Sequence, residues 1–515
     1  MEAMHELNDV VDGAYIPQDV SSFIRNEEDA SSFFTRFSVV IITQMGSIDP
    51  TVQCISSACF RANVPVLLVR ANGLVGFLRV QAREVCILDA KDDAAAPDLR
   101  LHSPFKELEE FASKFNFNEI QDTTVLSHIP FVVILVQAIA QYRKQHGGQL
   151  PSSRPQKEEF KEVVKSIRPS CCPDAAENFE EALKGSNLRL CYASAREVPS
   201  STRAVFCDAK SNPITVSGLQ PESCDSSQLG RKGAFPEAIR YVKLSKASST
   251  TLAESESNLV QGGSTIAGAA RIANDCRVFW LHVAAIRDFM ERFGCLPLQG
   301  SLPDMAADTE SYVSLQKLYS SKARDDARIV AQCVNEIADR HAVDAEDFDE
   351  ESVRLFCKNA SSLRVYRTKS IVEEIESRGK GGFKAAAEMD GALDASQNGT
   401  AAPYYALLRA ADQFRLEHGR EAGSVAEMRE ADDSLICEYL SAVKEDIGIP
   451  GTALLWRDQA TEMVRYAGSE LHNVCAFMGG IAAQEVTKIL TRQFMPLDNT
   501  LIVNFAQQTS VTFAA

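Results

Sequence analysis

The sequence predicts an α/β protein with a helical domain inserted into it, and three observations carry that prediction. Near the start, two almost continuous apolar runs, FSVVIITQM around Val40 and VPVLLVR ending at Arg70, flank a stretch of helical character. From about Pro104 the apolar spacing lengthens to that of helices and holds through most of the chain. At the far end, a helical pattern from Leu471 to Leu490 gives way to LIVNF and a second short strand. The boundaries that follow are 1–98 for the first part of the α/β domain, 99–450 for the insertion and 451–515 for the return.

The elements can be justified in order. A strand covered on both faces reads as continuous rather than alternating apolarity, which fits Phe34–Met45 and Val64–Arg70. Asp49–Arg61 between them reads as a helix, giving strand, helix, strand; Asn72-Gly73 then breaks the chain before a third strand at Val75–Val80. Gly73-Leu-Val-Gly76 lies between two strands and reads as a turn, not as a phosphate loop. Phe105–Phe117, Ile129–Tyr142, Glu158–Ile167 and Glu177–Lys184 carry helical spacing. Gly185–Gly268 is punctuated by Ser, Gly and Pro without a lasting period and reads as an insertion or a mobile linker, largely disordered, with a short helix near Pro236–Leu244 as the main candidate for order. Helices resume at Arg271–Phe293, Tyr312–Ile337, Glu351–Cys357, Ile371–Ile375, Thr400–His418 and Leu435–Glu445, with Gly419 as a stop signal. In Leu471–Leu490 the expected core stripe is Ala476, Phe477, Ile481, Ala482, Val486, Ile489 and Leu490; Gly479-Gly480 implies close backbone packing. This helix is expected to cover the early strands within one domain.

Composition narrows the function. The 515 residues carry 53 Lys plus Arg against 70 Asp plus Glu, a net charge of −17 that disfavours nucleic acid and anionic membrane as partners. The longest strongly apolar run, Phe131–Ala140, is too short to span a bilayer, and the acidic start has no signal-peptide pattern. Fourteen cysteines without a CxxC point to free thiols in a reducing, cytoplasmic or nuclear setting. Neither GxGxxG nor GxxxxGK[ST] occurs, and the eight histidines show no metal-ligand spacing, so no catalytic, cofactor or metal residue is assigned. Cys171-Cys172 is a candidate reactive pair weighed against an ordinary turn, and Cys475 reads as a core residue. Asp304 and Asp308, four apart in LPDMAADTESY, read best through Asp308 or Thr309 as the cap of a long helix. That leaves Leu302, Met305, Tyr312 and Leu315 as apolar groups for a docking surface or for the domain's own core.

Several stretches then resemble one family. They are FTRFSVVIITQM with NVPVLLVRANGLVGFLRV, ENFEEALK, FWLHVAAIRDFMERFGCLPLQGSLPDMAADTESYVSLQKLYSSKARDDA, LFCKNASSLRVYRTKSIVEE, PYYALLRAADQFRLEHGR and ELHNVCAFMGGIAAQEVTKILTRQFMPLDNTLIVNFAQQTSVTF. In this order they resemble the regulatory subunits of heterodimeric Nedd/Rub-type ubiquitin-like-modifier activating enzymes. The resemblance implies an incomplete Rossmann-like adenylation-type domain with a large helical insertion and no active site of its own. It implies a catalytic partner that binds ATP and magnesium, adenylates the modifier and receives it on a cysteine. It places a partner-contacting stretch on Asp304–Lys317, so Leu302, Asp304, Met305, Asp308, Tyr312, Leu315 and Gln316 are the expected interface residues. The resemblance also implies about 80 further residues ahead of this start, with the first strand and glycine turn of the dinucleotide-type fold. The other reading is a stand-alone helical interaction scaffold.

Overall fold

The computed structural model describes residues 13–91, 98–169, 176–185, 219–220, 243–244, 267–341, 349–377, 383–393, 400–449 and 456–514. Nearly all of Gly185–Gly268, and both Cys171 and Cys172, lie outside the described residues. Within that segment, Lys243–Leu244 pairs antiparallel with Leu219–Gln220, so these two residues are extended rather than part of the expected helix. The described residues fall into two compact units, one within 1–85, 256–275 and 366–515, the other within 86–255 and 276–365.

The first unit is built on a mixed five-stranded sheet. Its strands are β1 (Val40–Thr43), β2 (Val66–Asn72), β3 (Val75–Gln81), β4 (Thr500–Asn504) and β5 (Thr509–Phe513), side by side in that order. β1 and β2 are parallel, joined by the helix Pro50–Arg61, whose start is capped by the Asp49 carboxylate accepting from the Thr51 amide. The remaining neighbours are antiparallel. β3 and β4 pair directly, Phe77 opposite Ile502, so the two ends of the chain meet in one sheet as the apolar runs require. Between β2 and β3, Gly73 turns the chain at φ +55°; a Cβ there would meet the Tyr466 ring at 2.2 Å.

Both central strands are buried along their whole length, and the register sorts their residues onto two faces. Leu67, Val69 and Ala71 share one face with Gly76, Leu78 and Val80, and the helix His472–Thr491 packs over it, its Met478 against Gly76. Leu68, Arg70 and Asn72 share the other with Arg79, Phe77 and Val75. That face carries charge into the core. Arg79, 1% exposed, pairs with Glu374 and donates to the Lys369 carbonyl at 2.9 Å, while the Tyr405 hydroxyl donates to the same Glu374. Gln81 accepts from Ser56 at 2.6 Å and from the Ile371 amide at 2.8 Å, tying two helices to the strand. Ionised groups this deep are tolerated only when paired and fully hydrogen-bonded.

The division of the chain differs from the expected one at both ends: the sheet unit stops at 85 and resumes at 366, where 98 and 451 were expected. The helices Ile371–Glu376, Pro403–His418 and Arg429–Asp446, expected in the insertion, contribute Ile371, Leu407, Phe414, Ile436 and Leu440 to the core that holds Val66, Phe77 and Ile502. Their amphipathic pattern says helix but not which core they join. The same core takes in Ala30 and Phe33 of the helix Glu27–Phe34 and Met463 of Arg457–Tyr466, two helices absent from the sequence reading.

The second unit is mainly helical. Lys106–Ser113, Phe131–Gln145, Arg154–Ile167, Glu177–Gly185 and Thr309–His341 enclose Leu108, Val132, Leu135, Phe160, Phe179 and Tyr319. The Tyr319 hydroxyl, deep in this core, donates to the Leu99 carbonyl at 2.7 Å. Ala267–Phe293 sets His282 against Phe356 of Glu350–Lys358, rings stacked at 4.1 Å, with Nδ1 donating to the Val278 carbonyl at 2.8 Å. Among the described residues, no helix is long and apolar enough to cross a membrane.

Two measurements test these cores. Glu374→Ala would leave Arg79 charged and buried, and should cost roughly 3–5 kcal/mol, against about 1 for Tyr405→Phe. Urea unfolding of both variants ranks them, and a Tyr405→Phe loss as large as that of Glu374→Ala would contradict the assignment. In the second unit, burial lowers the His282 pKa to about 4, with the Val278 hydrogen bond and Asp349 pulling the other way. Unfolded histidine titrates near 6.5, so between the two values the unfolded chain binds the extra proton. His282 therefore contributes stability that is complete above pH 6.5 and is lost as pH falls towards 4, about 3 kcal/mol in all. His282→Phe should flatten the unfolding midpoint over that range; an unchanged pH slope would exclude the histidine as its source.

Candidate partner interface

The stretch expected to dock a partner is largely held by its own unit. Leu315 is fully buried and Met305 is 9% exposed, both inside the second unit's core, so neither offers a surface. Leu302 and Tyr312 lie half-buried against that core. The loop ahead of the long helix is pinned on two sides: the Ala306 amide donates to Glu181 at 3.0 Å, and the Asp308 amide donates to the His128 carbonyl at 2.9 Å. Asp308 does what its position predicts, accepting from the Ser311 amide at 2.8 Å as the helix cap. Partial burial works to raise its pKa, but hydrogen bonds from the Ser311 side chain and from backbone amides prevail and lower it. What the stretch exposes is Asp304, Thr309, Glu310, Val313, Gln316 and Lys317, a mostly polar surface. Asp308→Ala should cost about 1 kcal/mol of the second unit's stability, read as a lower melting temperature. An unchanged melt with weakened partner binding would instead make Asp308 a contact residue.

A more apolar surface lies on the helix His472–Thr491. Its buried stripe is Val474, Met478, Ala482, Glu485 and Ile489, one residue per turn. Glu485 belongs there because Lys488 donates to it at 2.6 Å and the Leu497 amide at 2.8 Å, anchoring the chain that follows. Of the stripe expected from sequence, Ala482 and Ile489 face the sheet, Ile481 and Val486 are half-buried, and Ala476 is exposed, as are Phe477 and Leu490 at 52% each. Cys475, expected in the core, is half-exposed. Gly479 and Gly480 would meet nothing within 4 Å on gaining a Cβ, so the close packing that their spacing suggests is not made within the described residues of this chain. Leu471, Phe494 and Met495 are also exposed, and Phe494 holds a left-handed backbone at φ +61° that non-glycine residues rarely adopt. The sequence hides this face because Ala476, Phe477, Ile481, Ala482, Val486, Ile489 and Leu490 spread round most of the helix, which blurs the phase that tells inside from outside. The one usable signal was Gly479-Gly480.

The carboxyl ends of the parallel strands β1 and β2 are where an open α/β sheet holds a ligand. Here that place is filled from within. Asp412, 3% exposed, pairs with Arg70 at 2.7 Å, and a Cβ on Gly46 would lie 2.4 Å from its carboxyl carbon. Burial pushes the Asp412 carboxyl upward while Arg70 pulls it back, and Arg415 donates to the Gln44 carbonyl at 3.2 Å beside it. Burial pushes the Cys59 and Cys357 thiols up to about 12 and raises those of Cys295 and Cys437, the reverse of what activates a thiol nucleophile.

No family model matches the chain. Individual relatives do, over nearly its whole length. A NEDD8-activating enzyme E1 regulatory subunit of Arabidopsis thaliana is 31% identical over 503 residues, 97% of this chain and 79% of the relative. That of Drosophila melanogaster is 31% identical over 516 residues, 99% of this chain and 82% of the relative. That of Xenopus laevis is 29% identical over 519 residues, covering 100% and 83%. With identity of this order spread across both units, the chain belongs to the family of NEDD8-activating enzyme E1 regulatory subunits.

Proposed function

We propose that this chain is the non-catalytic half of a heterodimeric enzyme that activates a NEDD8-type ubiquitin-like protein, and that the outward face of His472–Thr491 docks its catalytic partner. The observation that carries the docking assignment is a helix face that exposes Phe477, Leu490 and two open glycines and, between His472 and Thr487, no Asp, Glu, Lys or Arg, in a protein of net charge −17. Two adjacent helical glycines each forgo roughly 1 kcal/mol of helix propensity, a cost that close approach by another backbone would offset. Exposed Phe477 and Leu490 provide aromatic and aliphatic anchors of the kind that dominate interfaces. In the second unit, exposed Asp304 and Gln316 with half-exposed Leu302, Asp308 and Tyr312 form a polar second contact, supported from beneath by Met305 and Leu315.

The sheet unit is, on this reading, an incomplete Rossmann-like adenylation-type domain, and ATP with its magnesium belongs to the partner. The buried Arg70–Asp412 ion pair at the strand ends supports that division, because it fills this space from within and commits the Arg70 guanidinium to a carboxylate of the same chain. The partner would adenylate the modifier and take it onto its own cysteine, with this subunit supplying the docking frame in the cytoplasm or nucleus.

Phe477→Ala is the test. Truncating an exposed anchor should weaken binding of the catalytic subunit by about 2 kcal/mol, roughly thirtyfold, and leave the subunit's own melting temperature in place. Titration calorimetry against the catalytic subunit measures the first and circular dichroism the second. Unchanged affinity in a well-folded variant would remove this face from the interface.

A further inference from the structure

We infer that Cys86 and Cys276 are a redox pair, two thiols in the reduced chain that a peroxide converts into a disulfide. The inference stands apart from the docking reading above. The two residues are 190 positions apart, yet their sulfur atoms lie within 4.8 Å of each other. Cys86 is the middle residue of the short strand Val85–Ile87, and Cys276 sits on the helix Ala267–Phe293. Both are buried, at 3% and 5% exposure, and neither is bridged. They also hold matching places in the chain, each being the first residue of the second unit where the chain enters it, at 86 and again at 276. A bond between them ties the two points of entry together.

A metal is the competing use of two adjacent thiols, but a structural zinc takes four ligands. Glu84, two residues before Cys86, is already committed, since the Arg367 guanidinium donates to its carboxylate at 2.9 Å. That leaves the pair short of a metal site, whereas two sulfurs alone complete a disulfide. Closing from at most 4.8 Å to the roughly 2.0 Å of an S–S bond asks for a shift that rotation about the two Cα–Cβ bonds supplies. The chemistry balances with hydrogen peroxide as oxidant. One sulfur attacks a peroxide oxygen, the O–O bond breaks, and the products are a sulfenic acid and a water that carries off the thiol's proton. The second sulfur then attacks the sulfenic sulfur; the S–S bond forms, the S–O bond breaks, and the oxygen leaves with the second thiol's proton as another water. Two electrons pass from the sulfurs to the peroxide. Burial of both sulfurs favours an oxidant as small as a peroxide over a bulky disulfide. Once formed, the bond closes a loop of about 190 residues and so removes conformational freedom from the unfolded chain.

Hydrogen peroxide at a few equivalents, added to the full chain and then removed, tests the inference against the same chain kept in dithiothreitol. Peptide mass mapping without reduction should find the Cys86 and Cys276 peptides joined, at about 2 Da below the sum of the two. The oxidised chain should melt at least about 5 °C higher, and dithiothreitol should restore the lower melt. Cys86→Ala and Cys276→Ala should each abolish both the joined peptide and the gain. If either alanine variant fails to fold, the peptide map of the unsubstituted chain still decides. Unmodified thiols, or sulfinic or sulfonic acid at either cysteine in place of the joined peptide, overturn the inference, as does a melting gain that survives both substitutions. One equivalent of zinc in the purified chain, lost in Cys86→Ala, would make the pair metal ligands and overturn it as well.

Discussion

Arg70, Arg79 and Gln81 stand on one face of two strands that are buried along their whole length, and their partners come from far along the chain. A guanidinium does not shed its charge when water is withdrawn, so it has to be met by carboxylates and carbonyls. Glu374, the Lys369 carbonyl and Asp412 do this, while the Ile371 amide donates to Gln81. The sheet can therefore be sealed only after residues 369–412 have arrived. That dependence is why the helices from Ile371 to Asp446 belong with the sheet, although their sequence pattern alone puts them in the helical insertion.

Most elements were legible because their cause is local. The Pro50–Arg61 helix has Asp49 as its cap, Pro403–His418 ends on Gly419 at φ +65°, and β2 shows the continuous apolarity of a strand covered twice. Allegiance was less legible, because it depends on contacts that no window of sequence contains. Arg79 and Glu374 are neighbours across 295 positions, and neither residue type advertises the other. The helix Glu27–Phe34 was missed for a different reason: its only fully buried residue is Ala30, so its core stripe is too thin to register against the polar sequence around it.

The candidate interface divides along the same line. The family resemblance directed attention to Leu302, Met305, Tyr312 and Leu315, yet apolarity alone does not say whether a side chain meets a partner or its own core. Leu315 and Tyr319, four apart and both fully buried, fix the inward side of the long helix. With that phase set, Met305 fills the core beneath the loop, and the pins from Glu181 and His128 hold the loop in place. The contribution this stretch can make to recognition is a rigid polar outline.

The helix His472–Thr491 presents the reverse problem, with more apolar surface than one sheet can use. Sheet packing needs one residue per turn, and Val474, Met478, Ala482 and Ile489 satisfy it, with Glu485 serving the loop that follows. Phe477 and Leu490 are surplus to that need; each remains about half exposed on a side that also carries the open Gly479 and Gly480. Exposed aromatic surface and paired helical glycines both weigh against an isolated chain, through solubility and helix propensity respectively. A partner that buries this face offsets both at once, and the absence of charge along it means that burial carries no large desolvation penalty. The energetic case for association thus rests on features that the fold of the single chain leaves uncompensated.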